Sequence, residues 1–250
     1  MAVIFAWKEK YETPLECLTR TIALHPEYTG LSATYAGRLD PLAEGVLPLL
    51  FGDSVHEKET YTSQLKTYEI DVLFGVGTDT RDVLGIPFFE GGIHIPVIDK
   101  KTIEKIIPSF VGDIEQSYPL FSSKPVDGIP LHKYGRKGIV VTPPMHTVHI
   151  ESILLQKITT MYREILLEEV KSATEKVLGD FRQEAIQKAW EGIVDRLPEI
   201  FQVVSLTVVC GSGTYMRELA HDIGKKLGIS ALAYKIVRTK VGENIQDSLN

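Results

Sequence analysis

The chain has 250 residues, of which 44% are hydrophobic and 24% charged, with a formal net charge of −6. That length holds one large domain or two small ones with a real core, and no apolar run approaches the ~18 residues needed to span a bilayer. The N-terminus lacks the charged start and small-residue cleavage site of a secretory signal, so a soluble, cytoplasmic protein is expected.

Ala2 to Trp7 has strand character, and Pro14 to Leu24 carries Leu15, Leu18, Ile22 and Ala23 at helical spacing behind Thr13 as a cap. The stretch Tyr35 to Pro48 follows. It sets one carboxylate, Asp40, in a turn punctuated by Gly37, Pro41 and Gly45 and flanked by apolar residues. Glycine permits unusual torsions and proline fixes one, so the loop reads as rigid. A rigid loop holding a half-buried acid suits covalent or acid–base chemistry, but Asp-Pro also opens ordinary turns and Asp40 can cap the next segment. Thr67 to Phe74 alternates as a strand with Tyr68, Ile70 and Val72 on one face, where Tyr68 reads first as a core aromatic. Asp99 to Phe110 predicts a short helix, Gly128 to Gly138 a basic, glycine-bounded loop before Ile139-Val140-Val141, and Val148 to Leu155 a strand.

From Ile158 to Glu199 the pattern predicts two amphipathic helices joined by a tight turn. Leu166, Val170, Ala173 and Val177 form one stripe; Phe181, Ala185, Ala189 and Ile193 form the other, beyond a break at Gly179-Asp180. Lys171, Lys176, Arg182, Lys188 and Arg196 offer RNA contacts there, while many acids favour a packing or partner role. Phe201 to Cys210 is β-rich. Gly211-Ser212-Gly213-Thr214 then leads into a helix with Leu219, Ala220, Ile223 and Leu227 inside. Arg217, in its first turn, sits at the positive end of the helix dipole, which calls for a carboxylate nearby. Glu218 and Asp222 are the local partners.

Cys17 and Cys210 read as buried free thiols. His146-Thr147-Val148-His149 looks like a strand edge, and no metal site is expected. The acidic balance sits awkwardly with nucleic-acid binding, yet screening limits each field to roughly 8 Å at physiological salt, so local charge decides. Arg38, Lys66, Lys124, Lys133, Arg136, Lys137, Arg217, Lys235, Arg238 and Lys240 lie near the distinctive segments. Much of the acid, notably Glu164, Glu168, Glu169, Glu175, Asp180 and Glu184, lies elsewhere. The expectation is a small basic cleft on an acidic body; a solvated mixture of charges is the alternative.

Gly37-Arg38-Leu39-Asp40-Pro41-Leu42-Ala43-Glu44-Gly45-Val46-Leu47 resembles the catalytic signature of the TruB family of pseudouridine synthases. Lys66-Thr67-Tyr68 is similar to that family's second motif, and Gly77 to Gly85 to its Thr-Asp-rich loop. Tyr118-Pro119-Leu120-Phe121-Ser122-Ser123-Lys124 resembles its Pro-x-x-Ser-Ala-x-Lys segment, and Gly213-Thr214-Tyr215-Met216-Arg217 its arginine motif. The matches fall in family order between about residue 30 and about residue 242. The family usually carries a histidine where this chain has Tyr35, and its Asp-Lys-Pro-x-Gly opening is degraded here to Trp7-Lys8-Glu9-Lys10-Tyr11-Glu12. Family members join the neighbouring strands by a shorter hairpin, so 158–199 reads as an insertion.

The resemblance implies an α+β pseudouridine synthase catalytic fold, with a mixed, mainly antiparallel sheet flanked by helices. It implies one domain over 1–250, with the 158–199 insertion inside it and no C-terminal PUA-type RNA-binding domain. The implied activity is isomerisation of uridine 55 in the T-arm loop of tRNA, needing no cofactor, by a chain expected to be monomeric. Asp40 is then the catalytic acid residue, Tyr68 stacks on uracil and handles the C5 proton, and Arg217 is the counter-ion of Asp40. Ile236 is the apolar wall on the other side of the base. Tyr35, Arg38, Lys66, Lys124, Lys133 and Arg136 are the expected substrate contacts, with Lys124, Lys133, Arg136 and Lys137 placed in sequence to meet phosphates. Two alternatives stay open: a tRNA-binding folding helper with little turnover, and the same chemistry on another RNA.

Overall fold

The structure, a computed structural model, describes residues 2–89 and 97–245. β1 (Ala2–Lys8) leads to α1 (Pro14–Leu24), which starts at Pro14 for a local reason. The Glu16 amide donates to the Thr13 hydroxyl at 3.2 Å, and the Thr13 amide donates to the Glu16 carboxylate at 2.6 Å. This reciprocal cap satisfies two amides that the helix leaves open, and proline at the first position has no amide to lose. β2 (Ala33–Tyr35), β3 (Ala43–Phe51), α2 (Lys58–Ser63) and β4 (Lys66–Phe74) follow. β5 (Gly77–Thr78) and β6 (Pro87–Phe88) form a small ribbon. Then come α3 (Lys100–Ile106), β7 (Gly112–Ser117), the ribbon of β8 (Pro125–Val126) and β9 (Ile129–Pro130), and α4 (Leu131–Arg136). The described order closes with β10 (Met145–Tyr162), α5 (Arg163–Lys176), α6 (Gln183–Glu191), β11 (Ile200–Cys210), α7 (Met216–Leu227) and β12 (Ala231–Val241).

Eight strands make one sheet in the order β1-β3-β12-β4-β11-β10-β7, with β2 added to β3. β3 and β12 run parallel, and the other neighbours pair antiparallel. The fold is α+β, with a mixed and mainly antiparallel sheet flanked by helices. Gly45 makes the parallel pair possible. Its φ is +118°, and a β-carbon there would lie 2.2 Å from the Arg238 carbonyl oxygen.

Alternation along β4 divides the core between the two faces of the sheet. Tyr68, Ile70, Val72 and Phe74 pack with Met216, Leu219, Ala220 and Ile223 of α7. Leu73 belongs to the other face, with Leu166, Val170 and Ala173 of α5 and Ile186 and Trp190 of α6. The helical hairpin is therefore the cover of one sheet face.

Its limits differ from the sequence expectation. Ile158 to Tyr162 continue β10, pairing through Ile158 with Val204 and Met161 with Phe201, so the helices begin at Arg163. The first apolar stripe is buried as predicted; of the second, Phe181 and Ile193 pack partly buried against the same core, but Ala185 faces solvent and Ile186, Trp190 and Leu197 are the buried residues. Larger side chains win the core because they remove more apolar area from water, and the Trp190 indole also donates to the Gly85 carbonyl at 3.1 Å. Gly128 to Gly138, expected as a loop, contains β9 and α4. Cys17 and Cys210 are free and buried, and burial pushes their thiols up to about 12 and about 11. Among the described residues no helix is long and apolar enough to cross a membrane.

Candidate active site

The Asp40 turn is fixed by two buried cations that spend their donors on its backbone. Lys8, fully buried, donates through Nζ to the Ala43 carbonyl at 2.6 Å and the Pro41 carbonyl at 3.4 Å. Burial pushes this ammonium down to about 8, against the pull of Glu12 and other negative groups. Arg238 ties the two ends of the loop, with Nε donating to the Val46 carbonyl at 2.7 Å and Nη2 to the Gly37 carbonyl at 3.1 Å. Gly37 bends at φ +70°, and the Ala43 amide closes the turn on the Asp40 carbonyl at 3.0 Å.

Arg217 enters from the second residue of α7. Its Nε donates to Asp40 Oδ2 at 2.7 Å and lies 3.6 Å from Asp82 Oδ2, and its Nη1 donates to the Thr80 carbonyl at 2.8 Å. The side chain of Arg217 is 4% exposed and that of Asp40 is 41% exposed, so a buried cation holds an accessible carboxylate from behind. Burial alone would make Arg217 easier to deprotonate, but Asp40 and Asp82 hold it above its ordinary range. The two carboxylates also offset the cost of a cation at a helix N-terminus. The local partner Glu218 instead faces Arg81, at 3.9 Å. Asp82 accepts from the Thr80 hydroxyl at 2.7 Å and the Leu84 amide at 3.0 Å. Burial nevertheless pushes its carboxyl up to about 6, against Arg217 and Thr80.

Asp40 and Arg217 open onto a cleft of about 610 Å³ also lined by Tyr35, Arg38, Lys66, Tyr68, Arg136 and Ile236. The cleft thus gathers eight of the residues that the sequence picked out. Tyr68 and Ile236 are buried in its floor, and burial pushes the Tyr68 phenol up, opposed by the neighbouring Arg238. Arg38 Nη1 donates to the Ser123 hydroxyl across the mouth. Lys124 and Lys133 lie outside this lining. The Lys124 ammonium sits 4.8 Å from the Tyr118 ring centroid, and Lys133 points to solvent from α4. Lys66 lines the cleft but is not a free cation there. Its Nζ donates to the Gln64 carbonyl at 2.6 Å and to the Thr62 carbonyl, and burial pushes it down to about 8. These two carbonyls belong to the end of α2, which a lysine suits as a C-terminal cap.

The cleft also takes in Thr80, Asp82, Phe121, Phe181, Arg182 and Arg238. Of these, Arg238 is expected from the sequence only as part of a basic cleft and Arg182 only as an RNA contact of the insertion; Thr80, Asp82, Phe121 and Phe181 have no site role in the sequence reading. Asp82 lies within the Thr-Asp-rich loop, which is the available signal; Phe181 follows the helix break at Gly179-Asp180, and Arg182 is visible only by its charge. A second cleft, of about 940 Å³, is lined by Asp79, Arg81 and Tyr118 together with Glu218, His221 and Asp222 of α7. It is larger but is not lined by Asp40, Tyr68 or Arg217, so the smaller cleft is the candidate site.

Residues 28–177 match the family described as TruB family pseudouridylate synthase (N terminal domain). The chain is 33% identical over 208 residues to tRNA pseudouridine synthase B of Shouchella clausii (strain KSM-K16), covering 83% of this chain and 57% of that protein. It is 30% identical over 246 residues to tRNA pseudouridine synthase B of Bacillus pumilus (strain SAFR-032), covering 96% of this chain and 65% of that protein. The chain therefore spans between about half and two thirds of the length of these relatives. Among solved structures it is similar to a crystal structure of a Cbf5-Nop10-Gar1 complex, with a TM-score of 0.58 and 18% identity over 97% of this chain and 50% of that one. It is also similar to an H/ACA RNP bound to a substrate RNA containing 2'-deoxyuridine, with a TM-score of 0.55 and 17% identity over 98% of this chain and 49% of that one. At such identities the likeness concerns the fold alone.

Proposed function

Because the chain belongs to the TruB family of pseudouridylate synthases, we propose that it isomerises a uridine of tRNA to pseudouridine, the target being the T-arm loop uridine at position 55. The observation that carries this reading is the Asp40–Arg217 pair, an accessible carboxylate backed by a buried guanidinium 2.7 Å away. The relatives named tRNA pseudouridine synthase B support tRNA as the substrate.

In the proposed reaction the C1′–N1 bond of the uridine breaks and a C1′–C5 bond forms; C5 loses a proton and N1 gains one. Asp40 begins it by attacking C1′ or by removing the C2′ proton. Either step uses an ionised carboxylate, and Arg217 supplies the opposite charge that offsets its desolvation. Tyr68 lies against the detached uracil and its hydroxyl relays the C5 proton, passing its own proton on as it accepts that one, with Ile236 as the apolar wall. The base must first leave its stack, at a cost of a few kcal/mol that stacking in the cleft offsets. Arg38 and Arg136 at the mouth meet backbone phosphates, so the shape of the loop selects the RNA more than its bases do.

The target is tested by incubating an unmodified tRNA transcript with the protein and locating pseudouridine, as its alkali-stable carbodiimide adduct, by primer extension. A stop at the T-loop uridine is expected. A stop elsewhere would replace the target, and no stop with tRNA still bound would favour a binding protein.

A further inference from the structure

The turn between α5 and α6 reaches the cleft through Phe181 and Arg182, which lie just beyond the residues matched to the family. Arg182 has φ +62°, a left-handed conformation that side chains other than glycine and asparagine seldom adopt. Its guanidinium is paired and stacked in that position. Nη1 donates to Asp79 Oδ2 at 2.7 Å, Nη2 donates to Asp79 Oδ1 at 3.1 Å, and the group lies 4.1 Å from the Phe121 ring centroid. A second tie joins the same turn to α4, where Arg136 Nη2 donates to the Asp180 carbonyl at 2.6 Å.

Both segments gripped by Arg182 also hold Arg217. Thr80, next to Asp79, accepts Arg217 Nη1 through its carbonyl at 2.8 Å, and the Phe121 carbonyl accepts Nη2 at 3.5 Å. We propose that Arg182 is a positioning residue for the Asp40–Arg217 pair: from the helical hairpin it clamps the Asp79 and Phe121 segments, whose neighbouring carbonyls aim the Arg217 guanidinium. A direct phosphate contact fits less well, because Asp79 neutralises Arg182 and occupies both of its terminal nitrogens. Lysine cannot replace it, having neither the planar fork nor the flat face that stacks on Phe121. The inference rests on the proposed isomerase reading for its kinetic consequence but not for its geometric one.

The test compares wild type, Arg182→Gly and Arg182→Lys. Glycine accepts a φ of +62° and so keeps the turn while removing the clamp. The Arg217 Nε–H signal, followed by NMR in 15N-labelled protein, is expected to shift and to exchange faster with water in both variants. An unchanged signal overturns the inference whether or not the protein turns over RNA. In single-turnover isomerisation of a tRNA transcript, both variants are expected to lose about tenfold to a hundredfold in rate at saturation, as a small misplacement of reacting groups does, with tRNA affinity unchanged. A wild-type rate, a loss confined to affinity, or a loss explained by the unfolded fraction would each contradict it. A wild type no faster than Asp40→Asn would sink the isomerase reading instead, leaving the NMR result to decide the clamp.

Discussion

Arg217 and Asp40 are 177 positions apart in the chain and 2.7 Å apart in the fold, Nε to Oδ2. The asymmetry of the pair matters as much as its length. Arg217 is walled in by Thr80, Asp82 and the body of α7, while Asp40 projects from a turn tied down by Lys8 and Arg238. Replacing Arg217 by Met would leave Asp40 and Asp82 as neighbouring carboxylates without a cation. Removing one partner of a buried pair costs about 3–5 kcal/mol. The turnover rate should fall by roughly a hundredfold to a thousandfold, the scale for losing one preorganised electrostatic group. Urea denaturation and isomerisation rates measure the two effects, and a stable, fully active Arg217→Met would remove the pair from the mechanism.

Tyr68→Phe keeps the ring in the floor of the cleft and removes the hydroxyl. If that hydroxyl relays the C5 proton, turnover drops by about 10² to 10⁴ while tRNA affinity stays unchanged. A Phe variant with the wild-type rate would leave Tyr68 with stacking alone.

Glu218 makes folding stability depend on pH. Burial pushes its carboxyl from 4.5 up to about 7, against Arg81 and Arg217. The folded state therefore holds a proton that the unfolded chain releases between these values. Stability falls as pH rises through that window and levels off above it. Glu218→Gln removes the effect, so above pH 7 the variant should exceed wild type by up to about 3 kcal/mol, the equivalent of the shift. Asp82, pushed up to about 6, leaves a residual slope of the same sign below that pH. Urea midpoints measured across the window check the sign, and parallel curves for wild type and variant would refute it.

How much of this was legible depended on distance along the chain. The Thr13 cap and the alternation in β4 are local, and they read directly from residue order. The Asp40 turn was visible as a rigid loop, but spacing offered Glu218 and Asp222 as partners for Arg217 as readily as Asp40, and only the family likeness chose. Lys66 reads as a substrate contact in a basic cleft because its charge is visible in the sequence; the backbone carbonyls of Thr62 and Gln64 that consume it are not. Likewise the pairing of Ile158 and Met161 with β11 extends a strand that periodicity ended early, and it moves the hairpin limits. The grip of Arg182 on Asp79 spans 103 positions and follows from where the hairpin covers the sheet.

Gly45→Ala tests the β3–β12 contact. The added carbon would meet the Arg238 carbonyl oxygen at 2.2 Å, against backbone that has no side-chain freedom to yield. Clash and backbone strain together are expected to cost about 3 kcal/mol or more, lowering the melting temperature by about 10 °C. An unchanged melting temperature would mean that the two strands can separate there without penalty.

The central claim is that Asp40 performs uridine isomerisation. It is tested most directly with a tRNA transcript labelled with tritium at uracil C5, incubated with wild type and with Asp40→Asn. The account predicts tritium release by wild type and none by the variant, with both binding the RNA within a few-fold. Equal release by the two proteins, or no release by a wild type that binds the transcript, would contradict it.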